Sequence, residues 1–379
     1  MQEFKHNPMY KYLMVLVICA SAGLQGWMAM ITNFATDVVK VNGFQMGLTQ
    51  SVREIPGFLT FLAMFVLLVM KEHKLSALSV LVMGIGIGAT GFFTSLTGLL
   101  MTTVVMSVGF HYFETTNKSL TVQYFNKQDS AIVFARLRGY GAIANIIVLA
   151  IIWMLSKNKV SYQFIFLTLG LFISGIGIYM LTQNPIKEVK ARQDNMPVLY
   201  RKYWLFYTLN FLSGARRQIF IVFAIFLLVK KYGLSVEQVI LIYAINFALT
   251  YLTNPLISKA INKYGERVVL SLESASLVIL FLGYAFIPKV WVVIGLYVMD
   301  SIFFNFAIGL NTYLQKTADP KDLAQSTAVG YTINHISAVI IPIFGGALWM
   351  LNWQLPFIIG ACITLISLYF TQKIKIKQL

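Results

Sequence analysis

The stretch LSALSVLVMGIGIGATGFFTSLTGLLMTTVVMSVGF, residues 75–110, contains no aspartate, glutamate, lysine or arginine. A helix crosses the hydrocarbon core of a bilayer with about 20 apolar residues, so this stretch nearly suffices for two crossings. The same composition continues outside it, since 58% of the 379 residues are hydrophobic and only 12% are charged. Soluble domains carry roughly 25% charged residues. We therefore predict an all-α membrane protein with many spanning helices.

Twelve apolar segments, each bounded by charged or turn-forming residues, are the predicted spans. They cover residues 11–37, 44–69, 75–94, 96–117, 132–156, 162–182, 203–229, 235–257, 268–287, 290–315, 324–350 and 353–371. The boundary at Ser95 is the least distinct, so a count of eleven or thirteen would need one fusion or one split. Residues 1–7 lack the layout of a cleaved signal peptide, and the first apolar segment is expected to stay as a span.

The orientation follows from the distribution of lysine and arginine. With the N-terminus inside, 21 of the 30 basic residues lie in inside segments, six lie in outside segments, and three lie within spans. Short cytoplasmic segments carry an excess of basic residues, so both ends of the chain are predicted to be cytoplasmic. Much of the net charge of +16 is then a topology signal, and the predicted surroundings are a lipid bilayer, with no nucleic acid as partner.

An internal repeat relates the two halves of the chain. A shift of 190 residues places the turn at Gly43 over the turn at Gly233, and a shift of about 191 places Gly139 over Gly330. Each half then holds six spans in the same order and with the same orientation, which indicates a pseudo-twofold axis along the membrane normal. The predicted domains are two parallel six-helix bundles, 1–183 and 203–379, with a cytoplasmic central loop at 184–202.

One loop carries a family motif. The segment SKAINKYGERVVL, residues 258–270, follows the eighth span and resembles the loop between the second and third helices of a half in the major facilitator superfamily. Lys263, Gly265, Arg267 and Leu270 match the family pattern. Ser258, Asn262 and Glu266 stand where the family has glycine, aspartate and a basic residue. The corresponding first-half loop, KEHKLSAL, lacks the motif.

Three further segments, REIPGF at 53–58, SGARRQIF at 213–220 and TINHISAVIIP at 332–342, resemble bacterial permeases of that superfamily. The resemblance implies a secondary transporter in the bacterial cytoplasmic membrane that works by alternating access. It also implies that spans 1, 4, 7 and 10 line a central cavity and that spans 2, 5, 8 and 11 flank it. Lys263, Gly265 and Arg267 would act in gating; the alternative is ordinary anchoring at the cytoplasmic surface.

Charged residues within the predicted spans are the main site candidates. A charged side chain at mid-bilayer costs at least about 2.5–3.5 kcal/mol, so it usually faces the protein interior and a partner. The basic ones are Arg53, Arg216 and Arg217, and the acidic ones counted against them are Glu54, Glu114 and Asp300. The adjacent members of each pair, 53/54 and 216/217, point roughly 100° apart on a helix, so at least one should reach another helix. Asp37 and Glu273 lie near predicted span ends and are interpreted as structural.

Two roles are possible for these groups. They could hold helices together, or a carboxylate could exchange between a proton and an arginine that binds an anion. On the second interpretation the expected proton-coupling residues are Glu54, His111, Glu114, Asp300 and His335, and His111, Glu114 and Lys118 share one helix face. The expected substrate-binding residues are Gln25, Arg53, Arg216, Arg217, Asn305 and Asn334. The neutral and histidine side chains could instead bridge helices through hydrogen bonds.

The sequence therefore favours a secondary active transporter, expected to be monomeric, for a small organic solute of anionic character, with protons as a further partner. One alternative is a proton-driven exporter of cationic or lipophilic compounds, in which the acids bind the cargo. An alternative of another class is a transporter-like receptor or scaffold without flux. No phosphate-binding loop, metal-ligand spacing or nucleophile–base pattern is present, so we expect no enzyme activity, cofactor or metal.

Overall fold

The computed structural model describes residues 6–186 and 198–375 of the chain, and the regular elements in these two ranges are helices. The α-helices are α1 Pro8–Asp37, α2 Gly43–Phe58, α3 Ala63–Val66, α4 Glu72–Thr90, α5 Leu96–Tyr124, α6 Lys127–Lys157, α7 Tyr162–Thr182, α8 Trp204–Gln218, α9 Ile225–Lys230, α10 Val236–Phe286, α11 Val290–Phe304, α12 Ile308–Thr317, α13 Pro320–Leu351 and α14 Leu355–Thr371. Short 3₁₀ segments lie at Thr60–Leu62, Arg201–Tyr203 and Asn305–Ala307, and a π-helix lies at Ile219–Ala224.

Nine helical segments in the described residues are long and apolar enough to cross a membrane. One of them, α10, is 51 residues long and contains the two predicted spans 235–257 and 268–287. Two predicted spans are shorter: α14 has 17 residues, and the second span is divided between α2 and α3. The prediction of an all-α, multi-pass membrane fold is confirmed, and each predicted span overlaps at least one of these helices.

The second span is not the continuous helix predicted over 44–69. α2 ends at Phe58, and the chain continues as a 3₁₀ turn and the four-residue helix α3. Pro56 weakens the last turns of α2, because proline has no backbone N–H to donate and its ring crowds the preceding turn. Large apolar side chains beyond the break are exposed, with Leu68 at 81% and Val69 at 87%, as expected for residues that face lipid.

A single residue connects the two halves of α10. Gly265 has φ 79° and ψ 163°, while the residues on either side of it are helical. This conformation is essentially restricted to glycine. The loop predicted between the eighth and ninth spans is therefore one residue long.

The chain forms two compact units. The first unit comprises Met1–Lys40 and Val52–Asp194, and the second comprises Val41–Ser51 and Asn195–Leu379. The first turns of α2 group with the second unit because they pack closely there: a Cβ on Gly47 would lie 2.0 Å from the Pro342 carbonyl oxygen. The predicted domain boundaries stay a prediction, and residues 187–197 of the predicted central loop lie outside the described residues.

Glycines allow close helix packing in the first unit. A Cβ on Gly170 of α7 would lie 2.3 Å from the backbone nitrogen of Gly88, on α4. A Cβ on Gly109 of α5 would lie 2.3 Å from the backbone nitrogen of Met83, also on α4. Backbones can approach this closely only where the side chain is absent, which is a common basis of helix association in membranes. The glycine-rich run at residues 75–110 therefore allows α4 to pack between α5 and α7.

The second unit packs around the seventh span. Within its most apolar 18-residue window, 89% of the residues of Arg201–Lys230 are buried. The π-helix interrupts this span and presents Phe223, which stacks on Trp349 with ring centroids 5.9 Å apart. The most buried helix of the second unit is thus also an irregular one.

Candidate functional site

A small cavity in the second unit is lined by charged groups from three helices. Arg216 and Arg217 come from α8, Glu273 from α10 and Asp300 from α11. The remaining lining residues are apolar or small: Ser213, Phe220, Leu277, Phe281 and Phe304. The cavity measures about 10 Å³, which is close to the space that one water molecule needs. We call Arg216, Glu273 and Asp300 the charged cluster.

An ion pair joins α8 to α10 within this cluster. Nη2 of Arg216 lies 2.5 Å from Oε1 of Glu273, and their side chains are 5% and 1% exposed. The same nitrogen lies 3.5 Å from the Ser213 hydroxyl oxygen, one turn earlier on α8. Removing charges from water is expensive, so a buried arginine requires such a partner.

Asp300 adds a second carboxylate to the cluster. Its side chain is buried, at 3% exposure, and it interacts electrostatically with Arg216, Glu273 and Tyr284. One polar atom on each cluster residue, Nη1 of Arg216, Oε2 of Glu273 and Oδ2 of Asp300, has no hydrogen-bond partner within the described residues. Unpartnered polar atoms around a water-sized cavity favour a bound water or a proton held between the carboxylates.

Irregular backbone lies on two sides of the cavity. The π-helix begins at Ile219, two residues after Arg217, and carries Phe220. The 3₁₀ segment begins at Asn305, directly after Phe304. The Phe220 and Phe304 ring centroids are 6.4 Å apart, and the Arg217 guanidinium lies 5.9 Å from the Phe304 ring centroid. Departures from α-helical geometry are frequent at functional sites in helices.

Arg53 and Glu54 lie in the first unit and form an ion pair of their own. Although adjacent residues diverge on a helix, the long arginine side chain turns back, and Nη2 of Arg53 lies 2.5 Å from Oε1 of Glu54. Nη1 of Arg53 reaches Sδ of Met28 on α1 at 3.7 Å, so the expected contact with another helix is present. Ser107 of α5 donates a hydrogen bond to the Arg53 carbonyl oxygen.

Glu114 pairs with Lys118 at 2.7 Å, and their side chains are 32% and 50% exposed. The two residues therefore share a helix face as predicted, and Glu114 is partly exposed rather than fully buried. His111, one turn away, is buried with its ring centroid 5.1 Å from that of Phe110.

The other predicted binding residues are spread over several helices. Gln25 is half-buried on α1. Asn334 lies on α13 beside Gly214, where a Cβ on that glycine would come within 2.9 Å of the amide nitrogen. His335 is buried, with its ring centroid 4.5 Å from that of Tyr331. Asn305 lies at the 3₁₀ break of the tenth span and hydrogen-bonds within its own helix.

The motif residues surround the one-residue junction in α10. Arg267 donates two hydrogen bonds to Oε1 of Gln372, at the end of α14, from Nε and Nη2 at 3.2 and 3.1 Å. Lys263 is exposed, and its ammonium lies 5.0 Å from the Tyr264 ring centroid. Glu266, which stands where the family has a basic residue, is 1% exposed and pairs with Lys316 at 2.6 Å. Their role in gating stays a prediction.

Glu273 is the site residue that the sequence analysis missed. Its position near a predicted span end suggested a structural role, but the structure places it at the ion pair of the charged cluster. The available signal was its position inside the apolar run 268–287 with no basic residue nearby in that run. Such an acid needs a partner from another helix.

The sequence profile of the Major Facilitator Superfamily matches residues 206–375. A search of curated protein sequences found no significant match. Among solved structures, the chain is similar to a mutant of the nucleoside transporter NupG, with a TM-score of 0.79 at 16% identity over 97% of this chain and 99% of that one.

Two other solved transporters have the same fold. A bacterial homologue of the iron transporter ferroportin in an inward-facing state has a TM-score of 0.76 at 12% identity, over 96% of this chain and 98% of that one. A bacterial homologue of the lysosomal transporter Spinster, inward-facing and occupied, has a TM-score of 0.71 at 12% identity, over 96% and 95%. The resemblance inferred from the sequence is confirmed: the chain has the fold of the Major Facilitator Superfamily, a family of membrane transporters, and its C-terminal half matches the family profile.

Proposed function

We propose that the chain is a secondary active transporter that couples the movement of a small organic anion to the binding of a proton at the charged cluster. The observation that carries this proposal is the cluster itself. Two buried carboxylates face one buried guanidinium around a cavity of about 10 Å³, and each of the three side chains has a polar atom with no partner among the described residues. The fold and the structural neighbours support the transporter class.

The size of the cavity supports a proton rather than the solute at this position. Sites for organic ligands measure roughly 300–1,000 Å³, whereas this cavity is close to the volume of one water molecule. We therefore assign the charged cluster to coupling. Gln25, Arg53, Arg217 and Asn334 stay the proposed contributors to solute binding.

The charges explain why proton and anion would move together. In the structure, Glu273 neutralises Arg216 at 2.5 Å. A proton on Glu273, or on Asp300 with rearrangement of the pair, removes one negative charge and leaves the local potential more positive. An anion is then bound more tightly, and its departure favours release of the proton. Such coupling requires only that each ligand binds one charge state better, and the effect is reciprocal.

Flux of solute and proton tests the proposal directly. The purified full-length protein would be reconstituted in liposomes, with an acidic exterior and a pH-sensitive dye inside. The panel would contain organic carboxylates and phosphates, together with nucleosides and iron(II), the cargo named for two structural neighbours. We expect uptake of an organic anion with simultaneous acidification of the interior. Anion uptake without proton movement would refute the coupling, and movement of cations alone would refute the anionic substrate.

A double variant separates coupling from structural support. Replacing a buried ion pair by apolar residues of similar volume is often neutral or stabilising by about 1–4 kcal/mol, so Arg216→Met with Glu273→Leu should fold. We expect this variant to lose proton-coupled uptake. Retained coupling would mean that the pair only holds α8 to α10. Glu237→Gln, in the first turn of α10, is the matched control and should transport normally.

The alternatives give other outcomes of the same experiments. A proton-driven exporter of cationic or lipophilic compounds would acidify the liposome when cargo moves against the proton, and Asp300→Asn would abolish cargo binding. A receptor or scaffold would move no solute in either direction and would keep its biological activity when its conformation is fixed by a cross-link.

A further inference from the structure

The tenth span changes helix type beside the charged cluster. α11 ends at Phe304, residues Asn305–Ala307 form a 3₁₀ turn, and α12 begins at Ile308. Sharp irregularities in helices usually arise at proline, at glycine, at π-bulges or where a side chain enters the hydrogen-bond ladder. The break itself contains neither proline nor glycine. The last cause therefore remains.

The inserted side chain is that of Asn305. Its backbone N–H bonds to the carbonyl oxygens of Ile302 and Phe303 instead of to that of Ser301, the partner it would have in a continuous α-helix. The carbonyl oxygen of Ser301 accepts a hydrogen bond from Nδ2 of Asn305 instead, at 2.9 Å. The side chain has taken the place of its own backbone donor. Short polar side chains compete with helical hydrogen bonds in this way.

The same amide reaches a neighbouring helix. Nδ2 of Asn305 lies 3.3 Å from the hydroxyl oxygen of Thr250 on α10. Asn305 was predicted to bind substrate, yet the contacts of its amide nitrogen in the structure are to its own helix and to α10.

The break is connected to the charged cluster through one residue. Phe304, which precedes Asn305, lines the cavity together with Asp300 and Arg217. Its ring lies 5.9 Å from the Arg217 guanidinium and 6.4 Å from the ring of Phe220 in the π-helix. Any change in the backbone at Asn305 therefore displaces a wall of the cavity.

We propose that Asn305 is a positioning residue. Its side-chain amide, rather than its backbone N–H, donates to the carbonyl oxygen of Ser301, and this keeps the 3₁₀ turn in the tenth span. During transport the backbone N–H replaces the amide at that oxygen and the turn becomes α-helical. This change moves Phe304 against the charged cluster. Only the movement of Phe304 during transport rests on the proposed function. The two hydrogen-bond arrangements use the same residues and nearly the same number of bonds, so the segment can adopt either.

The test compares the shape of the span with the transport rate. Spin labels at Trp291→Cys and Gln315→Cys, in a Cys362→Ser background that removes the exposed cysteine, report the distance across the break by pulsed electron resonance. Asn305→Ala removes the amide and should shift the distance distribution to one population that is shorter by about 1–2 Å, because an α-helix rises about 1.5 Å per residue and a 3₁₀-helix about 2.0 Å. The turnover should fall by about two- to tenfold, the effect of one lost hydrogen bond, with the KM within about twofold.

Two further variants give the controls. Thr250→Val removes the contact to α10 but leaves the bond to Ser301, so distance and turnover should stay close to the wild type. Asn305→Asp keeps the shape of the side chain without the donor and should behave like Asn305→Ala. An unchanged distance distribution in Asn305→Ala would overturn the proposal, as would a shortened span with wild-type turnover. If the wild type moves no solute while Asn305→Ala still shortens the span, the transport function fails and the structural assignment stands.

Discussion

Corresponding spans of the two units differ in regularity. α1 and α5, the first and fourth spans, are continuous helices of 30 and 29 residues. The seventh and tenth spans, which the internal repeat pairs with them, change to a π-helix at Ile219–Ala224 and to a 3₁₀ turn at Asn305–Ala307. The buried ion pairs of the two units also differ. Arg53 and Glu54 pair within α2, whereas Arg216 and Glu273 join two helices. Two halves with the same order of spans therefore differ in these elements: glycines hold α4 against α5 and α7 in the first unit, and the ion pair between helices and the irregular seventh and tenth spans lie in the second.

The largest expected difference concerns the two ion pairs. Arg216→Met alone should lower the free energy of unfolding by about 3–5 kcal/mol, because it leaves Glu273 buried without its partner and removes a link between helices. Arg53→Met should lower it by about 1–3 kcal/mol, since this pair lies on a single helix turn. Denaturation of both variants in the same detergent measures the difference. Equal losses would mean that the asymmetry of the pairs has no energetic consequence.

Glycine substitutions test the packing of the first unit. Gly170→Ala would place a Cβ 2.3 Å from the backbone of Gly88 and should destabilise the protein by about 1–3 kcal/mol through overpacking. Gly175, on the same helix, has open space around it, so Gly175→Ala should stabilise the protein by about 0.5–1 kcal/mol. Thermal unfolding of the two variants shows whether each substitution stabilises or destabilises the protein. A stabilised Gly170→Ala would show that α4 and α7 can separate at little expense.

Deletion of one residue tests the irregular backbone of the second unit. A π-turn accommodates one residue more than an α-helix, so deletion of Val222 should convert Ile219–Ala224 to a regular helix. We expect little change in thermal stability and a loss of transport of about tenfold, equivalent to about 1.4 kcal/mol in the rate-limiting barrier. Hydrogen exchange at residues 219–224 and uptake assays together decide the result. Full transport by the shortened span would mean that the π-helix is not required for transport.

The smallest expected effect is at the exposed pair on α5. Glu114→Gln should cost about 0.3–0.5 kcal/mol, because exposed pairs four residues apart on a helix are screened by water. The effect should disappear in high salt, which shortens the range of interactions between exposed charges. Comparing Glu114→Gln with Glu273→Gln in the uptake assay separates a surface pair from the charged cluster. A loss of coupling in Glu114→Gln would mean that Glu114 takes part in proton coupling.

The sequence predicted those features that depend on composition and spacing. Apolar runs located the spans, and the order of spans and the loop at 258–270 identified the superfamily. Charges in apolar surroundings predicted Arg216 and Asp300 as site residues, because burial of such groups requires a partner in any fold, and both line the cavity of the candidate site.

The features that the sequence did not predict depend on the contacts of particular side chains. The pairing of Arg216 with Glu273 requires the packing of α8 against α10, which no local pattern encodes. The breaks at Pro56 and Asn305 depend on single residues, and only the proline has a general signature in the sequence. The role of Asn305 is a competition between side chain and backbone, whose outcome is decided by its neighbours.

The junction at Gly265 has a consequence for handling the protein. Because one residue connects two membrane-crossing helices, the angle between them is set by two torsion angles rather than by a loop. No loop residues are available at this junction, so an inserted epitope, protease site or reporter would have to unwind part of a helix. Any side chain at position 265 would also oppose the required φ of 79°. Fusions and tags belong instead in the connections that follow Asp37 or Lys157, where several residues already lie outside the helices.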